Sequence, residues 1–168
     1  MTAVTIEVPD QVCTFWVDGL FLGIDVGQVQ EVLRPQPMTP VPRAPDAVRG
    51  LINLRGQIVA AVDLRRRLGL STDGPEDRLN VVVTSQDEVV SLLVDDIGDV
   101  LDTHGATAEP VPANLPAPVQ DVVTGALPLP GSILLLVDAD RAIEVPAAPT
   151  RTDAIPTIQT DHATGGNP

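Results

Sequence analysis

The stretch Val48–Leu70, VRGLINLRGQIVAAVDLRRRLGL, reads as two apolar runs joined by a tight turn and followed by a helix start. The turn falls at Arg55-Gly56. Glycine suits a turn that needs a positive φ. Arginine in that place answers no hydrophobic alternation. The apolar run IVAAV exceeds a clean period of two, so it is expected to be covered on both faces. In the helix start, Leu64 and Leu68 are four apart and face the core, which leaves Arg65–Arg67 on the solvent side.

The same pattern returns further on. Residues 49–64, RGLINLRGQIVAAVDL, align with 124–139, TGALPLPGSILLLVDA. Gly50/Gly125, Leu54/Leu129, Gly56/Gly131, Ile58/Ile133, Val62/Val137 and Asp63/Asp138 coincide. An earlier block, IDVGQVQEVL (24–33), lies on LLVDDIGDVL (92–101), pairing Val29 with Ile97 and Glu31 with Asp99. Two blocks in the same order indicate an internal duplication of a unit of roughly 70 residues. Arg55 has Pro130 as its counterpart, so the fold does not demand Arg there. The glycines Gly56 and Gly131 recur and are assigned to backbone geometry.

Around these blocks the chain punctuates as strands and turns. VCTFWV and LFLGIDV flank Asp18-Gly19, a strong hairpin signal. LNVVVTS and EVVSLLVDD flank a second turn at Gln86-Asp87. The Pro35–Pro45 segment is too rich in proline for regular structure and is expected to be an extended surface loop. Each copy holds about five short strands, as small barrels do. The expected fold class is all-β, two barrels packed over a common core. After Val145 the sequence is small, polar and proline-rich, so residues 147–168 are expected to be a disordered tail and 1–10 a flexible N-terminus.

Composition narrows the function. With 43% apolar residues and only 2% aromatic, the core must be built from Val, Leu, Ile and Ala. A net charge of −13 argues against nucleic acid as a partner. The ten basic residues are all Arg, and eight lie between Arg34 and Arg78 against five acids, a local +3. Residues 79–145 hold one Arg and eleven acids, a local −10. Two electrically different faces suit a protein that docks different proteins. No apolar run reaches membrane-spanning length, and the N-terminus has no basic signal-type start. One cysteine, Cys13, suits a buried small hydrophobe in a reducing compartment.

No reaction centre can be assembled. The two histidines, His104 and His162, stand alone, with no Ser–His–Asp or Cys–His set. No metal is expected: Asp95-Asp96 is read as a solvated turn. The glycines form no nucleotide-binding loop, and no cofactor is implied. An acidic all-β body without a catalytic set is an interaction module; a small-ligand-binding barrel is the minor alternative.

LFLGIDVGQVQEVL, then TPVPRAPDAVRGLINLRGQIVAAVDLRRRLGL, then VSLLVDDIGDVLD, in this order, resemble the CheW family of chemotaxis coupling proteins. The likeness spans residues 12–145, and a CheW-like domain is expected over 11–146. It implies two intertwined five-stranded SH3-like barrels around a shared hydrophobic core, with short helices. It implies no activity and two partners, a CheA-type histidine kinase with a CheW-like regulatory domain and the cytoplasmic hairpin tip of a chemoreceptor. A non-flagellar chemosensory pathway is an alternative setting. The implied location is the cytoplasm, at membrane-associated receptor arrays. By the family's motif, Arg55 of Asn53-Leu54-Arg55-Gly56 and Glu31 face each other at the receptor groove. Val29, Ile97 and Val81 are its apolar contacts, and Met38 and Gly50 meet the kinase. The 35–45 loop is more proline-rich than the family pattern, and the ending after Val137 is a weaker helix.

Overall fold

A computed structural model describes residues 6–144. Ten strands follow in order: β1 (Gln11–Val17), β2 (Leu20–Asp25), β3 (Val29–Leu33), β4 (Val48–Leu54), β5 (Gln57–Asp63), β6 (Leu79–Ser85), β7 (Glu88–Val94), β8 (Asp96–Asp102), β9 (Val123–Leu129) and β10 (Ser132–Val137). Three short helices are α1 (Leu64–Arg67), α2 (Ala117–Val122) and α3 (Ala139–Ile143). A 3-10 turn, Val26–Gln28, separates β2 from β3.

The strands form two five-stranded sheets, ordered β8-β1-β2-β10-β9 and β3-β6-β7-β5-β4. The duplication is now visible as structure. β4 and β9 begin 75 residues apart, at Val48 and Val123, and β1 and β6 begin 68 apart, at Gln11 and Leu79. The two copies exchange strands. β1 and β2 are completed by β8, β9 and β10 of the second copy, and β6 and β7 by β3, β4 and β5 of the first. The exchange is sealed by parallel pairs, β2 with β10 and β5 with β7. Neither copy closes a sheet from its own strands alone.

Hairpin turns fix the antiparallel registers. Asp18-Gly19, Arg55-Gly56 and Gln86-Asp87 all have positive φ at both central residues, the signature of the type I′ turn that matches strand twist. The β9–β10 turn is different. Proline cannot adopt positive φ, so only Gly131 does, at +79°, and Pro130-Gly131 fits a type II turn. Arg55 and Pro130 therefore occupy turns of different shape, not one turn tolerant of both residues.

Phe15, Leu22 and Ile24 from one sheet meet Val81, Leu92 and Val94 from the other in a shared core. Each sheet carries a smaller cluster besides. One contains Ile52, Val59 and Ala61, the other Leu127, Leu134 and Leu136, at the same 75-residue spacing. Truncating a fully buried leucine such as Leu92 removes about 2–5 kcal/mol. The covering of IVAAV and ILLLV on both faces holds in part: Ile58 and Ile133 are exposed and Ala60 is half-buried, while the other residues of both runs are buried.

The Pro35–Pro45 loop lies on the surface and is tied down by one β-bridge between Thr39 and Leu51, with both hydrogen bonds at 2.9 Å. The second copy repeats this with Glu109 and Ala126, at 2.7 and 2.8 Å. Gly50 is needed here, because a Cβ would lie 2.7 Å from the Thr39 carbonyl oxygen. Residues 6–10, expected as part of a flexible end, are held. Thr103 donates through its hydroxyl to the Pro9 carbonyl and through its N–H to the Asp10 carbonyl, and Val8 packs beside Val12. Residues 1–5 and the expected tail, 147–168, lie outside the described residues.

Candidate functional site

Glu31 stands in the middle of β3, an edge strand paired only with β6. Arg55 stands in the β4–β5 turn at φ +54°, a conformation that costs a non-glycine residue energy and is held by its surroundings. Asn53 supplies part of that hold: its side-chain oxygen accepts the Gly56 N–H at 2.8 Å. The guanidinium forks onto Glu31, with Nη1 donating to Oε2 at 3.0 Å and Nη2 to Oε1 at 2.8 Å. β3 and the β4–β5 hairpin are at opposite ends of their sheet's strand order, so this fork spans the rolled sheet. The Arg55 side chain is 76% exposed and that of Glu31 18%. The guanidinium end is open to water and the carboxylate end mostly covered, and a pair whose cation stays solvated contributes about 1 kcal/mol to stability. Its use is directional, because the fork fixes two segments relative to each other and leaves charge facing out. The counterpart residues, Asp99 and Pro130, offer a carboxylate and no guanidinium, so only one side of the molecule carries the fork.

Val29 and Ile97 are half-buried and pack on the shared core, Val29 beside Val83 and Ile97 beside Phe15. Val81 is a correction. It has no exposed surface, being turned into the shared core from β6, so its side chain is out of reach of a groove occupant. Gly50 is also covered, by the Thr39 backbone, and Met38 is half-buried on the Ile52–Val59 cluster. Those two residues shape the seat of the proline-rich loop; Val41 is its exposed apolar residue. Gly56 and Gly131 take φ of +88° and +79° with open space around the missing Cβ, so conformation is what requires glycine there.

Exposed apolar residues were missed, and they come in equivalent pairs. Val32 and Val100 are 41% and 54% exposed, and Ile58 and Ile133 are 60% and 53% exposed. Alternation along β3 could have found Val32, which shares the outward phase of Gln30. Trp16 points outward in the same way, stacks on Phe21 at 4.8 Å, and borders a groove of about 530 Å³ with Leu20, Pro112, Leu115 and Ile133.

A second correction concerns Arg65 and Asp95. Arg65 is buried, not solvent-facing. It donates to Asp95 through Nε at 3.0 Å and Nη2 at 2.6 Å, and to Asp18 through Nη1 at 3.2 Å. Its Nη1 also donates to the Ser71 carbonyl at 2.8 Å. Beside it, fully buried Asp63 caps α1 and pairs with Arg78 at 2.9 Å and Arg49 at 3.3 Å. Burial pushes the Asp95 carboxyl up, but hydrogen bonds from Arg65 and the Asp18 N–H, with the charges of Arg65 and Arg78, outweigh it and hold the group below its ordinary value. The hydrogen bond to Asp95 raises the pKa of Arg65 in turn. Asp95 is thus a network member, not a solvated turn residue. Cys13 is buried, and desolvation pushes its thiol up, away from reactivity. Among the described residues no group of His, Cys, Asp and Glu could hold a metal ion, and no helix is long and apolar enough to cross a membrane.

Comparison with known proteins points one way. The CheW-like domain family matches residues 11–146. The chemotaxis protein CheW of Rhizobium meliloti is 33% identical over 118 residues, covering 70% of this chain and 76% of that protein. The chemotaxis protein CheW of Klebsiella aerogenes is 32% identical over 124 residues, 72% of this chain and 74% of that protein. In fold, the chain is similar to the scaffolding protein TtCheW from Thermoanaerobacter tengcongensis, with a TM-score of 0.72 at 24% identity, over 82% of this chain and 94% of that one.

Proposed function

The chain belongs to the CheW family, and from that membership we propose that it is a non-enzymatic adaptor coupling chemoreceptors to a CheA-type histidine kinase. The observation that carries this reading is the Arg55–Glu31 fork. It is exposed, adds little to stability, and is absent from the equivalent place in the other copy, where the turn closes without it. Such a feature is kept for a partner. Glu31, Arg55, Val29 and Ile97 form the surface for the receptor hairpin tip, an apolar contact with one oriented charged group at its rim.

The kinase partner is met elsewhere. Met38 and Gly50 hold the 35–45 loop in its place, and that loop, with Val41 exposed on it, is the kinase-facing surface. Duplication of the exposed pairs Val32/Val100 and Ile58/Ile133 supports barrel-to-barrel contact with a domain of the same fold. The protein acts in the cytoplasm, drawn to the membrane by the receptors it binds. The test is a pull-down of the full chain with the kinase regulatory domain and, separately, with a receptor hairpin-tip fragment. Retention of both is expected; retention of neither contradicts the proposal.

A further inference from the structure

The buried charges around Arg65 lie outside the proposed binding surfaces, and Arg65 is not repeated in the other copy. Arg65 has Asp140 as its counterpart 75 residues on, and α3 forms there all the same, capped by Asp138 as α1 is capped by Asp63. What Arg65 does is local to one crossover. Asp95 is the residue at which the chain leaves β7 in one sheet and enters β8 in the other. Its N–H donates to the Trp16 carbonyl at 2.9 Å, and its Oδ2 accepts the Asp18 N–H at 2.7 Å, both from the sheet that β8 joins. Its two oxygens also receive Arg65, which projects from the helix that follows β5 in the opposite sheet. The guanidinium is roofed by the 71–78 loop, where a Cβ on Gly74 would lie 2.5 Å from Arg65 Nε.

β8 needs such a hold. It is the edge strand of its sheet, paired on one side only, with a register shift against β1 between Cys13 and Phe15. Ile97 is its second residue. At the other crossover Asp25 accepts the Gly27 N–H at 2.9 Å, and β3 begins without a guanidinium clamp among the described residues. We propose that Arg65 is a positioning residue for the receptor-facing groove: clamped on Asp95, it fixes the start of β8, and so Ile97, relative to the Glu31–Arg55 fork on the opposite sheet. This rests on the reading of that groove as the receptor site.

The test uses the full chain carrying Arg65→Met together with Asp95→Asn, which removes the clamp without leaving a buried charge unpaired. Arg65→Lys, which keeps the charge and loses the fork, stands in if the double variant does not fold. Amide hydrogen exchange is followed at residues 96–99 and across β4–β5, and affinities are measured for the receptor hairpin-tip fragment and the kinase regulatory domain. The clamp's loss is expected to speed exchange at 96–99 at least tenfold, leave β4–β5 unchanged, weaken the receptor fragment at least fivefold, and leave the kinase domain within twofold. Asp140→Asn is expected to change none of these. A folded variant that keeps wild-type exchange at 96–99, or wild-type receptor affinity, overturns the positioning role. Failure of the wild-type chain to bind the receptor fragment overturns the receptor reading instead, and the two failures are distinct.

Discussion

The crossover from β2 to β3 and the crossover from β7 to β8 are one piece of chain in two copies, and they are secured differently. The first is a 3-10 turn capped by Asp25. The second is pinned by Asp95 under Arg65 and Arg78. The hairpins show the same split. Gly56 and Gly131 share positive φ, whereas Arg55 and Pro130 impose different turns. Features common to both copies build the barrels: the turn glycines, the capping Asp63 and Asp138, and Gly50 and Gly125 beneath their bridging loops. Features present once, Arg55 and Arg65, belong to what one side of the molecule does.

The largest expected effect breaks this comparison at its buried end. Arg65→Met leaves Asp95 buried without its main partner and is expected to cost about 3–5 kcal/mol in urea unfolding. Asp140→Met, at the equivalent place, is expected to stay within about 0.5 kcal/mol. Equal losses would mean that the two sites are not different in kind. Acid sharpens the same point. The folded Asp95 carboxyl is held below its ordinary value, so its contribution is present above the ordinary carboxylate pKa and is lost as pH falls through the lower, folded value. Asp95→Asn is therefore expected to flatten the decline of the urea midpoint below about pH 4.

Next come the turns. Gly56→Val and Gly131→Val each force a β-branched residue to positive φ and are expected to cost about 1–3 kcal/mol, alike in the two copies. A cost at one glycine only would show that one of the turns relaxes. Arg55→Pro would conflict with the positive φ of the turn, so it is a poor probe of the side chain. Arg55→Glu keeps the backbone and asks only about the fork.

Much of this was legible in the sequence because it depends on local pattern. The 75-residue repeat, the Asp18-Gly19 hairpin and the proline-rich loop rest on periodicity and turn chemistry. The Arg55–Glu31 contact came through family likeness, since nothing local joins residues 24 apart. Strand exchange was not legible in detail: either copy's β1 and β2 satisfy the same pattern, whichever β10 or β5 lies beside them. Arg65 was misplaced because its partners, Asp95 and Asp18, are 30 and 47 residues away on elements that only the exchange brings together. Leu64 and Leu68, four apart, are both fully buried as their helical spacing requires, but that spacing carries no sign of a carboxylate on the opposite side. Val81 was misplaced for a related reason: a strand covered by β3, β7 and the opposite sheet offers a partner nothing.

A small expected change in stability carries the largest expected change in function. Thermal unfolding and calorimetric binding of a receptor hairpin-tip fragment, measured on wild type, Arg55→Glu and Glu31→Arg, set the two side by side. Both variants are expected to remain folded, Arg55→Glu within about 1 kcal/mol of wild type, and to bind the fragment at least tenfold more weakly. Wild-type affinity in both variants, or a loss of stability large enough to explain the lost binding, would contradict the assignment of the fork to the receptor.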